Sequence, residues 1–110
     1  MNDTHHQLEM VHTERVRQEK LKREGRFKHT LADPEMPDAL KLAAVMEEVA
    51  EVGKNLLTRA GLVQDGDPSL VAIYTEVKQV GALSVAWMEC LAYEIDNIVD
   101  IDAGPLEQTV

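Results

Sequence analysis

The sequence predicts an all-α protein, an antiparallel helical bundle of three to four helices per chain that is completed by oligomerisation. Three observations predict it. Turn signals divide the 110 residues into three stretches with helical periodicity. Strand signals are nearly absent, and there is no internal repeat or low-complexity tract. The third stretch carries apolar residues in nearly every direction from Val80 through Tyr93, interrupted mainly by Ser84 and Glu89. A helix that is apolar all round must be covered all round. Three helices can hardly do that alone, so either a second subunit, most often related by a two-fold axis, or a fourth helix from the tail is expected to cover it. The length fits a single domain over 1–110.

The first helix is expected from about Thr4 to Glu24, with Leu8, Val11 or His12, Arg15 and Gln18 at helical spacing and Gly25 at its C-terminal cap. Its apolar stripe is thin. The connector through Phe27, Leu31, Asp33, Pro34 and Pro37 is irregular, and Asp33 before Pro34 carries the cap-then-proline signature of a second helix start. That helix runs to about Ala60, stopped by Gly61, and places Leu42, Val45, Met46, Val49, Val52, Leu56 and Leu57 on one broad face expected to meet the core. Gln64-Asp65-Gly66-Asp67-Pro68 is a turn, and the third helix follows from Pro68 or Ser69 to about Asn97, with a bend near Gly81. Residues 1–12 and 100–110 read as flexible ends.

Composition narrows the function. With 20 acidic against 11 basic side chains, the net charge is -9, which argues against broad nucleic-acid binding, where cationic side chains must displace counterions from phosphates. The polar N-terminus lacks a signal peptide's apolar run, and no stretch is apolar for long enough to cross a membrane. The single cysteine, Cys90, cannot form an internal disulfide, so a cytoplasmic location is expected. Seven of the 11 basic residues lie between Arg15 and Lys28. Such a run is either a solvated helix face or a phosphate-facing segment.

The carboxylates are also clustered. Glu47, Glu48 and Glu51 fall within about a third of the second helix's circumference, and like charges at this spacing need solvation or a compensating cation. Glu76 projects from the third helix in the same direction as Ala72, Ile73, Val80, Leu83, Trp87 and Leu91. A carboxylate on that face must be protonated, ion-paired or metal-bound, because burying its bare charge is costly. Gln79 lies one turn away and offers a neutral oxygen. The short 61–67 connection implies antiparallel packing, which would set Glu76 and Gln79 opposite Glu48 and Glu51. Three carboxylates and an amide make a hard oxygen site suited to Mg²⁺ or Mn²⁺. The alternative is an ion pair between Glu76 and a basic residue of the first helix, Arg15 or Lys20.

Glu47-Glu48-Val49-Ala50-Glu51, 24 intervening residues and then Glu76-Val77-Lys78-Gln79 resemble the EExxE…ExxD signature of MazG-like all-α nucleoside triphosphate pyrophosphohydrolases. Segments 13–18, 25–27 and 79–89 also look like the short phage-type members, and the resemblance covers roughly residues 12–92. It implies hydrolysis of a ribo- or deoxyribonucleoside triphosphate to the monophosphate and pyrophosphate. Glu48, Glu51, Glu76 and Gln79 would hold Mg²⁺, with Mn²⁺ as a substitute, and Glu47 would bind metal or orient the attacking water. Gln79 departs from the family's Asp and contributes no charge. The resemblance also implies a homodimer or homotetramer. In this frame Arg15, Lys20, Lys22 and Arg26 are candidates for holding phosphates and Gln18 for binding a base, with Phe27 or Trp87 as stacking partners. Trp87 lies on the expected core face.

Other signals carry less. His5, His6, His12 and His29 have no ligand spacing with Cys90 and read as surface residues, and Cys90 reads as a small core residue. P-loop, GxSxG and Rossmann glycine patterns are absent. Two competing functions remain: a non-catalytic helical oligomer that binds a nucleotide or a protein partner through a degenerate metal site, and a purely structural bundle.

Overall fold

A computed structural model describes residues 3–102, with side chains described to residue 98. The described residues are all-helical: α1 spans Thr4–Arg23, α2 Asp38–Arg59 and α3 Leu70–Asp102. The last residues of the expected flexible tail, 103–110, lie outside the described residues, as does any fourth helix they would form.

α3 is the backbone of the fold, since α1 and α2 both pack against it and not against each other. Lys41 meets Cys90 and Asn55 meets Asp67, so numbers rise on α2 as they fall beyond it, and the two run antiparallel. On the other side, Gln7 accepts from Tyr74 and Arg15 pairs with Glu89, so α1 and α3 run parallel. α1 lies close against α3 at Gly81, where an added Cβ would stand 3.2 Å from Val11 Cγ2. α3 is continuous through Gly81, and it extends past the expected end at Asn97.

The helix ends follow local chemistry. Asp3 caps α1 by accepting from the His6 amide at 2.9 Å. Gly25 and Gly61 take the left-handed conformation after α1 and α2, with φ of 77° and 79°, where a side chain would be strained. At α3, Asp67 accepts from the Ser69 amide and Ser69 Oγ from the Ala72 amide. The second helix departs from expectation. It begins at Asp38 after Pro37, with no side-chain cap. Asp33 is drawn elsewhere: its carboxylate accepts from Lys22 Nζ at 2.6 Å and from the Thr30 amide at 3.1 Å. Burial opposes the charged form of Asp33, but these two donors outweigh it and hold the carboxyl below its ordinary range. Together with Thr30 donating to Glu19 at 2.7 Å, they fasten the connector onto α1.

The core is small. Among the described residues the buried apolar ones are Leu31, Ala82, Ala86 and Cys90, while Glu14, Arg15, Gln18, Thr30, Asp33, Lys41 and Asn55 are buried polar ones. The broad apolar face expected of α2 is a correction. Leu42, Met46, Val49, Leu56 and Leu57 are each about half exposed, and the buried positions are instead Lys41 and Asn55, on the edge that faces α3. Leu31 is the one large aliphatic side chain among the buried residues, at 4% exposure. Leu31→Ala should therefore cost about 2–4 kcal/mol, read as a lower midpoint in urea unfolding.

Candidate functional site

The antiparallel packing of α2 on α3 brings together Glu48, Glu76 and Gln79. With its amide nitrogen turned toward the carboxyls, Gln79 donates to Glu48 Oε2 at 2.9 Å and to Glu76 Oε2 at 3.0 Å. That orientation is the one that satisfies the network. The Glu48 carboxyl is pushed up to about 7, first by its hydrogen bond to Glu76, then by burial and by the negative charges of Glu76, Glu47 and Glu51. With Glu48 favouring its protonated form and one amide bridging it to Glu76, the pair is compatible without a cation.

The other acidic residues are less engaged. Glu51 is turned to Lys54, whose Nζ stands 3.3 Å from its Oε2, and Glu47 is exposed. Among the described residues no group of three or more histidine, cysteine, aspartate or glutamate side chains stands in metal-binding geometry. The donor chemistry still fits a hard divalent cation: two carboxylates and an amide converge, and Glu51 lies one turn beyond Glu48. To complete the set, Gln79 must present its oxygen and Glu51 must leave Lys54.

Beside the carboxyl pair opens a cleft of about 310 Å³. Its walls come from all three helices and the first connector: Glu14, Arg17 and Gln18 from α1, Phe27, His29, Thr30, Leu31 and Met36 from the connector, Ala44 and Glu48 from α2, and Gln79 and Leu83 from α3. Gln18 is buried, and its Oε1 has no partner among the described residues. Phe27 is 42% exposed at the same cleft. Gln18 and Phe27 thus line the same cleft as Glu48.

The basic residues divide. Arg15 is committed to Glu89 at 2.7 Å and Glu19 at 2.6 Å, on a second cleft lined also by Asp33, so the alternative of an Arg15–Glu76 ion pair does not form. Lys22 is held by Asp33. Lys20 and Arg26 are exposed and stand outside the linings of both clefts. The basic side chain that lines the first cleft is Arg17, tied to Glu14 at 2.7 Å. Sequence reasoning missed it as a candidate, although Glu14 and Arg17 are three apart on one helix and could have been paired by spacing. Trp87 is partly buried, with an unpartnered indole nitrogen, and does not line the cleft.

The raised Glu48 value has a thermodynamic consequence. Between about pH 4.5, its ordinary value, and about 7, the folded chain holds a proton that the unfolded chain has released. Stability of the metal-free protein should then fall as pH rises through that window. In a chelator, the melting temperature should drop between about pH 5 and about pH 8, and Glu48→Gln should flatten that part of the curve.

No protein family, curated protein or solved structure matches this chain.

Proposed function

We propose that the protein is a Mg²⁺-dependent nucleoside triphosphate pyrophosphohydrolase, converting a ribo- or deoxyribonucleoside triphosphate to its monophosphate and pyrophosphate. The observation that carries this reading is the placement of the Glu48–Gln79–Glu76 cluster at the wall of a cleft whose lining includes unpartnered Gln18 and Phe27. The MazG-like signature supplies the reaction class.

Glu48, Glu76 and Gln79 would hold Mg²⁺ or Mn²⁺, with Glu51 recruited from Lys54. The bound ion would offset phosphate charge, polarise the scissile phosphorus and acidify water. Glu47, exposed beside the cluster, would orient the attacking water and take its proton. Gln18 and Phe27 would hold the base, and Arg17 would face the phosphates once released from Glu14. Lys20 and Arg26 are free to approach a leaving pyrophosphate that projects from the cleft. Attack in line on the α-phosphorus requires no side-chain nucleophile.

The working form is proposed to be a homodimer or homotetramer. Leu42, Met46, Val49 and Leu56 on α2, at steps of four, three and seven residues, and Met88, Leu91, Ile95 and Ile98 on α3, at steps of three, four and three, are exposed in a pattern suited to helix-on-helix packing. Among the described residues no helix is long and apolar enough to cross a membrane, and a cytoplasmic setting is part of the same proposal.

A second reading is favoured by one detail. The Gln79 amide satisfies both carboxyls unaided, as expected of a nucleotide-binding oligomer whose metal site has decayed. Calorimetric titration of Mn²⁺ with a non-hydrolysable triphosphate separates the two. Uptake that is lost in Glu76→Gln supports the hydrolase, and absence of uptake favours the binding protein. Gln79→Asp should tighten Mn²⁺ binding by about tenfold or more, because it replaces a competing amide donor with a fourth negative charge.

A further inference from the structure

A second cluster lies on the α2–α3 seam, away from the carboxyl pair. Lys41 has no exposed surface and Cys90 has 1%, and these are the largest fully buried side chains of the described chain. Lys41 Nζ donates to Cys90 Sγ at 2.9 Å, and the thiol in turn donates to Glu94 Oε1 at 3.3 Å. Lysine is almost never fully buried unless paired, and the usual partner is a carboxylate. Here the partner is sulfur, and among the described residues Lys41 makes no ion pair. Lys41 precedes Glu48 by two helical turns and Cys90 follows Glu76 by about four, so neither residue serves the carboxyl site. An amine nitrogen and a thiol sulfur are held in contact with nothing between them.

We propose that Lys41 and Cys90 are a covalent modification site, forming a reversible sulfenamide bond between α2 and α3 when the protein meets hydrogen peroxide. In the first step the Cys90 sulfur attacks one peroxide oxygen. The S–O bond forms and the O–O bond breaks, sulfur is oxidised by two electrons, and the other oxygen leaves as water with the thiol proton. In the second step the lone pair of the Lys41 amine attacks the sulfur of the sulfenic acid. The N–S bond forms, the S–O bond breaks, and the departing hydroxide takes one amine proton as a second water. One peroxide is reduced to two waters, and the protein loses two hydrogen atoms. Sulfenic acids condense with neighbouring nitrogens in this way, and a thiol reverses the bond. Once one peroxide has reached the sulfur from the side of exposed Glu94, closure is favoured over further oxidation, because the nitrogen is already within reach while a second peroxide must enter. Glu94, exposed one turn beyond Cys90, marks the solvent side of the pair.

Cys90 is the only cysteine, so loss of two hydrogens within one chain cannot be a disulfide. The test treats the full chain with excess hydrogen peroxide and reads intact mass and proteolytic peptides without reductant. The expected result is a monomer lighter by two hydrogens, a joined peptide containing Lys41 and Cys90, and recovery of the starting mass with dithiothreitol. Cys90→Ser should remain unchanged, and Lys41→Arg should gain oxygen instead. A wild-type chain that gains oxygen, forms a disulfide dimer or stays unmodified, with no joined peptide, overturns the proposal. So does loss of two hydrogens in Lys41→Arg, which would place the bond on another nitrogen. The wild-type peptide map decides by itself if either variant fails to fold.

Discussion

Glu48→Gln is expected to reduce pyrophosphate release by about a hundredfold or more, since changing even an outer partner of a metal ligand costs about 10–100-fold. The fold should survive, because Gln keeps the side-chain volume and an oxygen for the Gln79 amide. The substitution also removes the repulsion that pushes Glu48 up to about 7. The metal-free variant should therefore be as stable as the parent, or more stable, above neutral pH. Activity and stability then move in opposite directions. A purely structural cluster would show the stability change alone, and a solvated acidic face would show neither. Helical circular dichroism together with initial rates in Mg²⁺ distinguishes these outcomes.

Replacing Met46 and Leu91 together by Glu should convert the protein to a monomer. Met46 is 61% exposed and Leu91 42%, on different helices, and neither lies in the small core. A solitary chain would leave these apolar stripes in water, whereas a stable interface buries about 800 Å² on each partner. A charge placed in such an interface without a partner is strongly unfavourable. Sedimentation should show the parent as a dimer or tetramer and the double variant at half its mass or less. A parent that is monomeric at all concentrations would remove the oligomer from the account. The helices themselves would remain, since neither side chain is buried within the chain.

The fold was legible where a local interaction decides it. Gly25 and Gly61 end their helices because left-handed backbone favours glycine, and this is a property of single positions. The start of α2 was not legible: the expected cap at Asp33 does not form, because its carboxylate is taken by Lys22 and Thr30, and a cap-then-proline pattern cannot show which donor wins. The apolar stripe of α2 is present as periodicity, but periodicity does not say what covers a stripe. α3 lies against the neighbouring edge, so Lys41 and Asn55 are buried while Leu56 is half exposed. At the candidate site the meeting of Glu48 with Glu76 and Gln79 followed from spacing and antiparallel packing. The commitments of Arg15 to Glu89 and of Lys41 to Cys90 did not, because both join residues far apart in the chain.

The central claim is that the carboxyl cluster and its cleft cleave a triphosphate between the α and β phosphorus atoms. Phosphorus magnetic resonance of the products tests it directly, using a panel of ribo- and deoxyribonucleoside triphosphates in Mg²⁺ with the full chain. The account predicts nucleoside monophosphate and pyrophosphate in equal amounts from at least one substrate, with no signal in a chelator. Orthophosphate and a nucleoside diphosphate as the products, or no turnover of any triphosphate with Mg²⁺ or Mn²⁺, would contradict it.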